Sequence, residues 1–235
     1  MQTILILNTK GGSGKTTIAT NIAGYFASNG IRSALMDFDP QGSSQNWLEA
    51  RPDNRPYICN VAAGMSRSGV TRSWQLRLDQ GIERVIIDAP AGASGLILQD
   101  MIHRTDMIIV PVGPSSIDIH ATAHFIQNLL CIGRIRAHGI QVGVVANRVR
   151  HNSIYDPLQR FLNSLKIPLV TILNDSDIYI EAAAAGIGIH EMEPSESVRR
   201  ELEQWKPLMT WLDDPAGFLA THKPMASPHL IVANK

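Results

Sequence analysis

Four apolar residues, Ile4-Leu5-Ile6-Leu7, lead through Asn8 and Thr9 into Lys10-Gly11-Gly12-Ser13-Gly14-Lys15-Thr16-Thr17, and Ile18 to Ala27 follows with helical spacing. Few features restrict a chain more. A buried strand that breaks at glycines and re-enters as a helix leaves successive backbone N–H groups and the helix N-terminus facing one point. That is an anion cradle suited to a polyphosphate. Lys15 adds a point charge for β- and γ-phosphates, and the Thr16 hydroxyl can bind magnesium. The plain form of this loop has a glycine five positions before Gly14. Here Thr9 stands there, and a second lysine, Lys10, opens the glycine run.

Strand-length apolar runs alternate with helical patterns along the chain. Ser33 to Asp37, Val85 to Asp88, Met107 to Val112 and Ile140 to Ala146 read as further strands, with helices at about 41–50, 93–104, 116–137 and 154–165. Unbroken apolar runs are buried on both faces, as in a parallel sheet covered by helices. The expected fold is α/β: one doubly wound, mostly parallel sheet with helices on both faces. Gly30 is a suitable stop for the first helix. Residues 51–81 carry Arg51, Arg55, Arg67, Arg72 and Arg77 without clear periodicity. A helix is expected from about Ser195 to Leu212, with Trp205 and Trp211 as packing residues. One P-loop domain is expected over 1–213, with an irregular or disordered tail over 214–235 that carries Pro215, Pro224 and Pro228.

At 235 residues and 44% hydrophobic content the chain can bury one sizeable core. Twenty-one basic and 21 acidic residues balance, so nucleic-acid binding would need a local patch. The start of the chain has no basic segment before its short apolar run, and no stretch approaches the length of a membrane span, so a cytoplasmic protein is expected. Cys59 and Cys131 lack metal or redox spacing and read as reduced core residues. His120 and His124 lie four apart, but no third ligand is evident, and an exposed helical face is the simpler reading.

Lys10 and Lys15 in this arrangement match the deviant Walker A form KGGxGKT, and the chain resembles the ParA/MinD family of dimeric ATPases, in particular its short members without an N-terminal DNA-reading domain. The likeness runs from Leu5 to about Leu212. Met36-Asp37-Phe38-Asp39-Pro40-Gln41-Gly42 resembles the family's first switch region. Val85-Ile86-Ile87-Asp88-Ala89-Pro90-Ala91-Gly92 resembles its Walker B strand and second switch, and Val144-Val145-Ala146-Asn147-Arg148 the strand end that contacts adenine. The resemblance implies ATP and Mg2+ as cofactors. Gly11, Gly12, Ser13, Gly14, Lys15, Thr16 and Thr17 would hold the phosphates, and Asn147 with Arg148 the base. Thr16, Asp37 and Asp88 would form the metal site. Asp39 would orient water, and Lys10 would reach the partner subunit's nucleotide in an ATP-bound homodimer. Asp37 and Asp39 can also be read as helix caps or structural ion pairs, and Asn147 as a turn residue.

The resemblance further implies a switch that binds a surface in the ATP state and is released when an adaptor protein stimulates hydrolysis. From Ile132 to Ile172 six basic residues (Arg134, Arg136, Arg148, Arg150, Arg160, Lys166) face one acid, Asp156. With Arg199 and Arg200 on the last expected helix, these favour non-specific DNA, hence a nucleoid-associated ATPase that positions a plasmid, a chromosome region or an assembly such as a carboxysome. A solvated basic face balanced by acids elsewhere is the plainer alternative. A MinD-like membrane ATPase is disfavoured by the proline-broken C-terminal segment. An amide-forming enzyme of the cobyrinic acid diamide synthase or dethiobiotin synthetase type is disfavoured by the Asp37–Gln41 segment.

Overall fold

A computed structural model describes residues 1–62, 78–132, 135, 137–150 and 156–221. Its centre is a seven-stranded sheet, every pairing parallel, built from β1 (Gln2–Ile6), β2 (Ser33–Asp37), β3 (Cys59–Ala62), β4 (Arg84–Asp88), β5 (Met107–Val112), β6 (Gln141–Val149) and β7 (Leu169–Asn174). The strand order is β3-β2-β4-β1-β5-β6-β7. The chain fills one side of β1 first and then the other, so the order reverses beside β1. In such sheets ligands sit beyond the strands' carboxyl ends at this reversal, and the glycine loop leaves β1 there.

Alternation along the strands divides the core in two. Leu5 and Leu7 point to one face, with Met36, Val85 and Ile87, and meet α3 (Gly95–Ile102), α4 (Ser116–Ile132) and α5 (Asp156–Ser164). Ile4 and Ile6 point to the other, with Leu35 and Ile86. They meet α1 (Lys15–Ser28), Trp47 of α2 (Ser43–Glu49), Ala182 of α6 (Ile178–Ala184), and Trp205 and Leu208 of α7 (Glu196–Asp213). The doubly wound α/β sheet is thus as expected, and β2 and β5 have the expected bounds. Trp205 and Trp211 are buried packing residues.

Two expectations are corrected. After Asp213 the chain forms another helix, α8 (Pro215–Thr221), with Phe218 buried against the second face, so the irregular segment does not begin at 214. Pro215 fits because a first-turn proline lacks only an N–H that would have no helical acceptor. Residues 222–235 lie outside the described part. Cys59 is buried as expected, but Cys131 is exposed: α4 turns Phe125, Ile126 and Leu129 inward and leaves position 131 outside. The edge strands β3 and β7, and α6, had no counterpart in the sequence reading.

Candidate functional site

Gly12 and Gly14 take φ values of +72° and +93°, in the left-handed region that glycine tolerates, and the loop enters α1 directly. Two asparagines, Asn8 just before the loop and Asn147 on β6, fix its shape. Asn8 Oδ1 accepts from Lys10 N at 3.1 Å, while Asn8 Nδ2 donates to Pro111 O at 2.6 Å and Thr122 Oγ1 at 3.2 Å. Asn147 Nδ2 donates to Ser13 O at 3.0 Å, and it lies so close to Gly14 that a Cβ there would collide with it. The buried amide of Asn147 is therefore a brace under the loop.

Lys15 is buried and its Nζ donates to Lys10 O at 3.4 Å, folding back over the loop. Burial lowers its pKa, opposed by the charges of Asp88 and Asp39. Thr16 Oγ1 donates to Asp88 Oδ2 at 2.7 Å, and Ser44 Oγ donates to the same oxygen at 2.6 Å. Among the described residues Asp88 Oδ1 has no hydrogen-bond partner, although the side chain is buried. Burial pushes the Asp88 carboxyl up to about 6, against the hydroxyls of Ser44 and Thr16. A buried carboxylate with one free oxygen, beside a hydroxyl and a lysine at a helix N-terminus, fits a hydrated divalent cation riding on a polyphosphate.

The loop after β2 supplies the other wall. Asp37 Oδ2 accepts from Ser44 N at 2.8 Å and Gln45 N at 3.1 Å, and Oδ1 accepts from Asp39 N at 2.9 Å. These bonds tie Asp37 to the first turn of α2, whose N-cap position is Gly42, and the charge of Asp37 also acts on Asp88. Asp39 Oδ1 accepts from Gln41 N at 3.0 Å, and its charge acts on Lys15.

Lys10 Nζ pairs with Asp118 Oδ1 at 3.1 Å, at the rim of a cavity of about 500 Å3 lined by the loop, Ser115, Arg148, Arg150 and Asp175. The Asp118 carboxyl lies below its ordinary range, chiefly because Ser115 Oγ donates to it, with Lys10 adding to the effect. Arg148, at φ +57°, opens onto this cavity, and Arg150 is tied to Asp175 at 2.7 Å. Arg199 and Arg200 are exposed on α7, outside the lining. Arg134 and Arg136 lie outside the described residues. The structure thus gathers Lys10 to Thr16, Asp39, Asp88, Asn147 and Arg148 at one place; of the expected DNA-contacting arginines that it describes, Arg148 and Arg150 line the cavity and Arg199 and Arg200 lie apart from it. Asn8, Ser44 and Asp118 were not foreseen. Ser44 carried a faint signal, a serine opening the helix that follows the two acids.

Comparison with known proteins agrees with this geometry. Residues 4–189 match the model of the CobQ/CobB/MinD/ParA nucleotide binding domain. The maintenance of carboxysome distribution protein A of Halothiobacillus neapolitanus is 27% identical over 193 residues, 81% of this chain and 87% of that protein. The chromosome-partitioning ATPase Soj of Thermus thermophilus is 31% identical over 134 residues, but that match spans only 46% of this chain and 53% of the relative. Among solved structures, an ATP complex of Cyanothece McdA superposes with a TM-score of 0.67 at 18% identity, over 89% of this chain and 96% of that one. The pNOB8 ParA bound to nonspecific DNA gives 0.55 at 21%, over 70% and 74%. With the domain match spanning both the glycine loop and the strand end at Asn147, the chain belongs to the CobQ/CobB/MinD/ParA nucleotide-binding family.

Proposed function

We propose that this protein is an ATPase switch: it dimerises on ATP, holds non-specific DNA in that state, and positions or partitions a cargo through an adaptor that stimulates hydrolysis. The observation that carries the reading is the Thr16–Asp88 contact beneath the glycine loop, with Lys15 buried beside it. The cradle binds the phosphates through its N–H groups. Lys15 neutralises charge as it spreads over the transferred group. Thr16 and Asp88 would hold magnesium, which supplies positive charge on the β- and γ-phosphates. Asp39 accepts a hydrogen bond from the attacking water and orients it. Lys10 leaves Asp118 and reaches the partner subunit's nucleotide, acting in trans as an arginine finger does. Arg148, at the cavity rim beside the loop, serves the nucleotide, with the Asn147 brace beneath it.

The DNA reading draws support from the likeness to pNOB8 ParA bound to nonspecific DNA and from the arginines that lie clear of the cavity, Arg199 and Arg200. Among the described residues no helix is long and apolar enough to cross a membrane. The cargo, by the same likeness, is a DNA replicon or a protein assembly. One experiment tests the whole reading. The protein is sedimented with plasmid DNA, and in parallel with anionic liposomes, with ATP, ADP or no nucleotide and magnesium throughout. Retention on DNA in ATP alone is expected. ATP-dependent retention on liposomes would replace the DNA surface by a membrane, and nucleotide-independent behaviour on both would end the switch reading.

A further inference from the structure

The two ends of α2 are anchored very differently. At its start, Ser44 and Gln45 donate to Asp37, and Ser44 Oγ reaches Asp88. Seven residues later, roughly 10 Å along the axis, the chain runs into Arg51. That guanidinium makes a two-pronged pair with Glu191, Nη2 to Oε1 at 2.6 Å and Nη1 to Oε2 at 2.9 Å, with the side chains only 6% and 1% exposed. It also donates to Gly186 O at 3.3 Å and Pro56 O at 3.1 Å, and lies 5.4 Å over the Trp47 ring. Trp47 Nε1 in turn donates to Ile187 O at 3.3 Å.

Glu191 is itself fixed to α1. Its Oε2 accepts from Gly188 N at 2.9 Å, and it packs so closely on Gly24 that a Cβ there would sit 2.9 Å from that oxygen. Beside it Ile189 N donates to Asn21 Oδ1 at 2.8 Å, and Asn21 Nδ2 donates to Thr17 O at 2.8 Å. A closed ring results: glycine loop, α1, the 186–191 segment, Arg51, α2, Ser44, Asp88, and through Thr16 back to the loop.

We propose that Arg51 and Glu191 are positioning residues for hydrolysis, holding the far end of α2 so that Asp39 and Ser44 at its near end keep their place at the phosphates. The inference rests on the ATPase reading above. Asp39 stands three residues before α2, Gly42 N donates to Asp39 O at 2.9 Å, and Asp37 accepts from both Asp39 N and the first turn of α2, so a tilt of α2 is passed on to Asp39. A buried ion pair adds little net stability over an apolar pair of the same size, whereas its two-pronged geometry fixes orientation. Ångström-scale misplacement of a reacting group costs up to about a hundredfold in rate.

The test is the double variant R51M/E191M, which keeps the volume buried and removes the fork. Three quantities are measured beside wild type: thermal unfolding, affinity for a fluorescent ATP analogue, and steady-state hydrolysis. A fold-stabilising role alone would move only the first. The expected result is a lowered melting temperature, because Gly188 N and the Gly186 and Pro56 carbonyls lose their partners, an affinity close to wild type, and kcat lowered roughly tenfold or more with KM little changed. R51K, which keeps the charge but loses the fork, should fold and fall in between, and it decides the question if the double variant does not fold. Unchanged kcat in a folded variant overturns the inference and leaves the ATPase reading standing. A wild-type protein that binds ATP without hydrolysing it overturns both.

Discussion

Asp88 and Glu191 stand at opposite ends of α2, both buried, and their surroundings pull them in opposite directions. Among the described residues Asp88 takes two hydroxyls on one oxygen and nothing on the other, and burial raises its carboxyl to about 6. Burial raises Glu191 too, but the hydrogen bonds and charge of Arg51, with the N–H of Gly188, outweigh it and hold the carboxyl below its ordinary value. Two buried acids in one domain thus carry different information. The satisfied one is a strut whose interactions are complete within the chain. The unsatisfied one is half of something: it carries a cost that arriving positive charge would relieve, which is the mark of a binding position.

The harshest way to break this comparison is to remove the strut's carboxylate. Glu191→Ala leaves the Arg51 guanidinium buried with the Pro56 and Gly186 carbonyls and the Trp47 ring but without its counter-charge, and such losses run to about 3–5 kcal/mol. For a domain of this size that is a fall in melting temperature on the order of 10 °C. A fall of a degree or two in calorimetry would mean that Arg51 finds water, and the picture of a rigid strut would go.

Asp88→Asn should act with the opposite sign. Because the folded pKa lies above the ordinary value of 3.8, at about 6, ionisation of Asp88 works against the folded state. Its contribution to stability is complete below about pH 4 and is lost as pH rises through 6. The size is on the order of 3 kcal/mol for a shift of this extent. Asparagine mimics the neutral acid. In EDTA without nucleotide, the variant should therefore melt higher than wild type at pH 7.5 and alike at pH 4, while magnesium-dependent hydrolysis falls by roughly a hundredfold. Glu191, lowered rather than raised, gives its stability above its ordinary titration range and loses it as pH falls. The two carboxylates are thus separable in one pH series of melting curves. A D88N protein less stable than wild type at pH 7.5 would place Asp88 among the structural acids.

How far the sequence carried this picture depends on what is local. The cradle, Lys15, Thr16 and the strand before them are consecutive, so geometry follows from order. β2 and β5 are legible because central strands of a covered parallel sheet carry unbroken apolar runs, Ala34 to Met36 and Met107 to Val112. The edge strand β7 reads Leu-Val-Thr-Ile-Leu-Asn and is half-buried, and β3 has four residues; neither has an unbroken apolar run. α6 reads Ile-Tyr-Ile-Glu-Ala-Ala-Ala with Ile180 largely exposed, so no stripe marks it. The contacts that complete the site are illegible for another reason. Arg51 meets Glu191 across 140 residues, and Asn147 meets Ser13 across 134. An arginine in an aperiodic stretch and an asparagine at a strand end give no hint of such partners. Asp37 shows the limit from the other side: two acids at a strand end are recognisable, but which of them is tied to the first turn of α2 is decided by where that helix begins.

The gentlest comparison sets the buried Glu191 fork against the ion pair at the rim. Lys10 and Asp118 are 43% and 27% exposed, and such pairs are worth about 0–1 kcal/mol. Asp118→Asn should therefore leave the melting temperature within about 2 °C of wild type. Its effect belongs to assembly. If Lys10 must leave Asp118 to reach a second subunit, whatever holds it in place is subtracted from dimerisation. Each dimer frees two such pairs, so removing that hold should tighten the ATP-dependent dimer by at most about thirtyfold in light scattering, since ~2 kcal/mol corresponds to no more. A dimer that instead weakens by more than this would mean that Asp118 is used across the interface, and that the pair seen within one chain is the resting half of a contact made in trans.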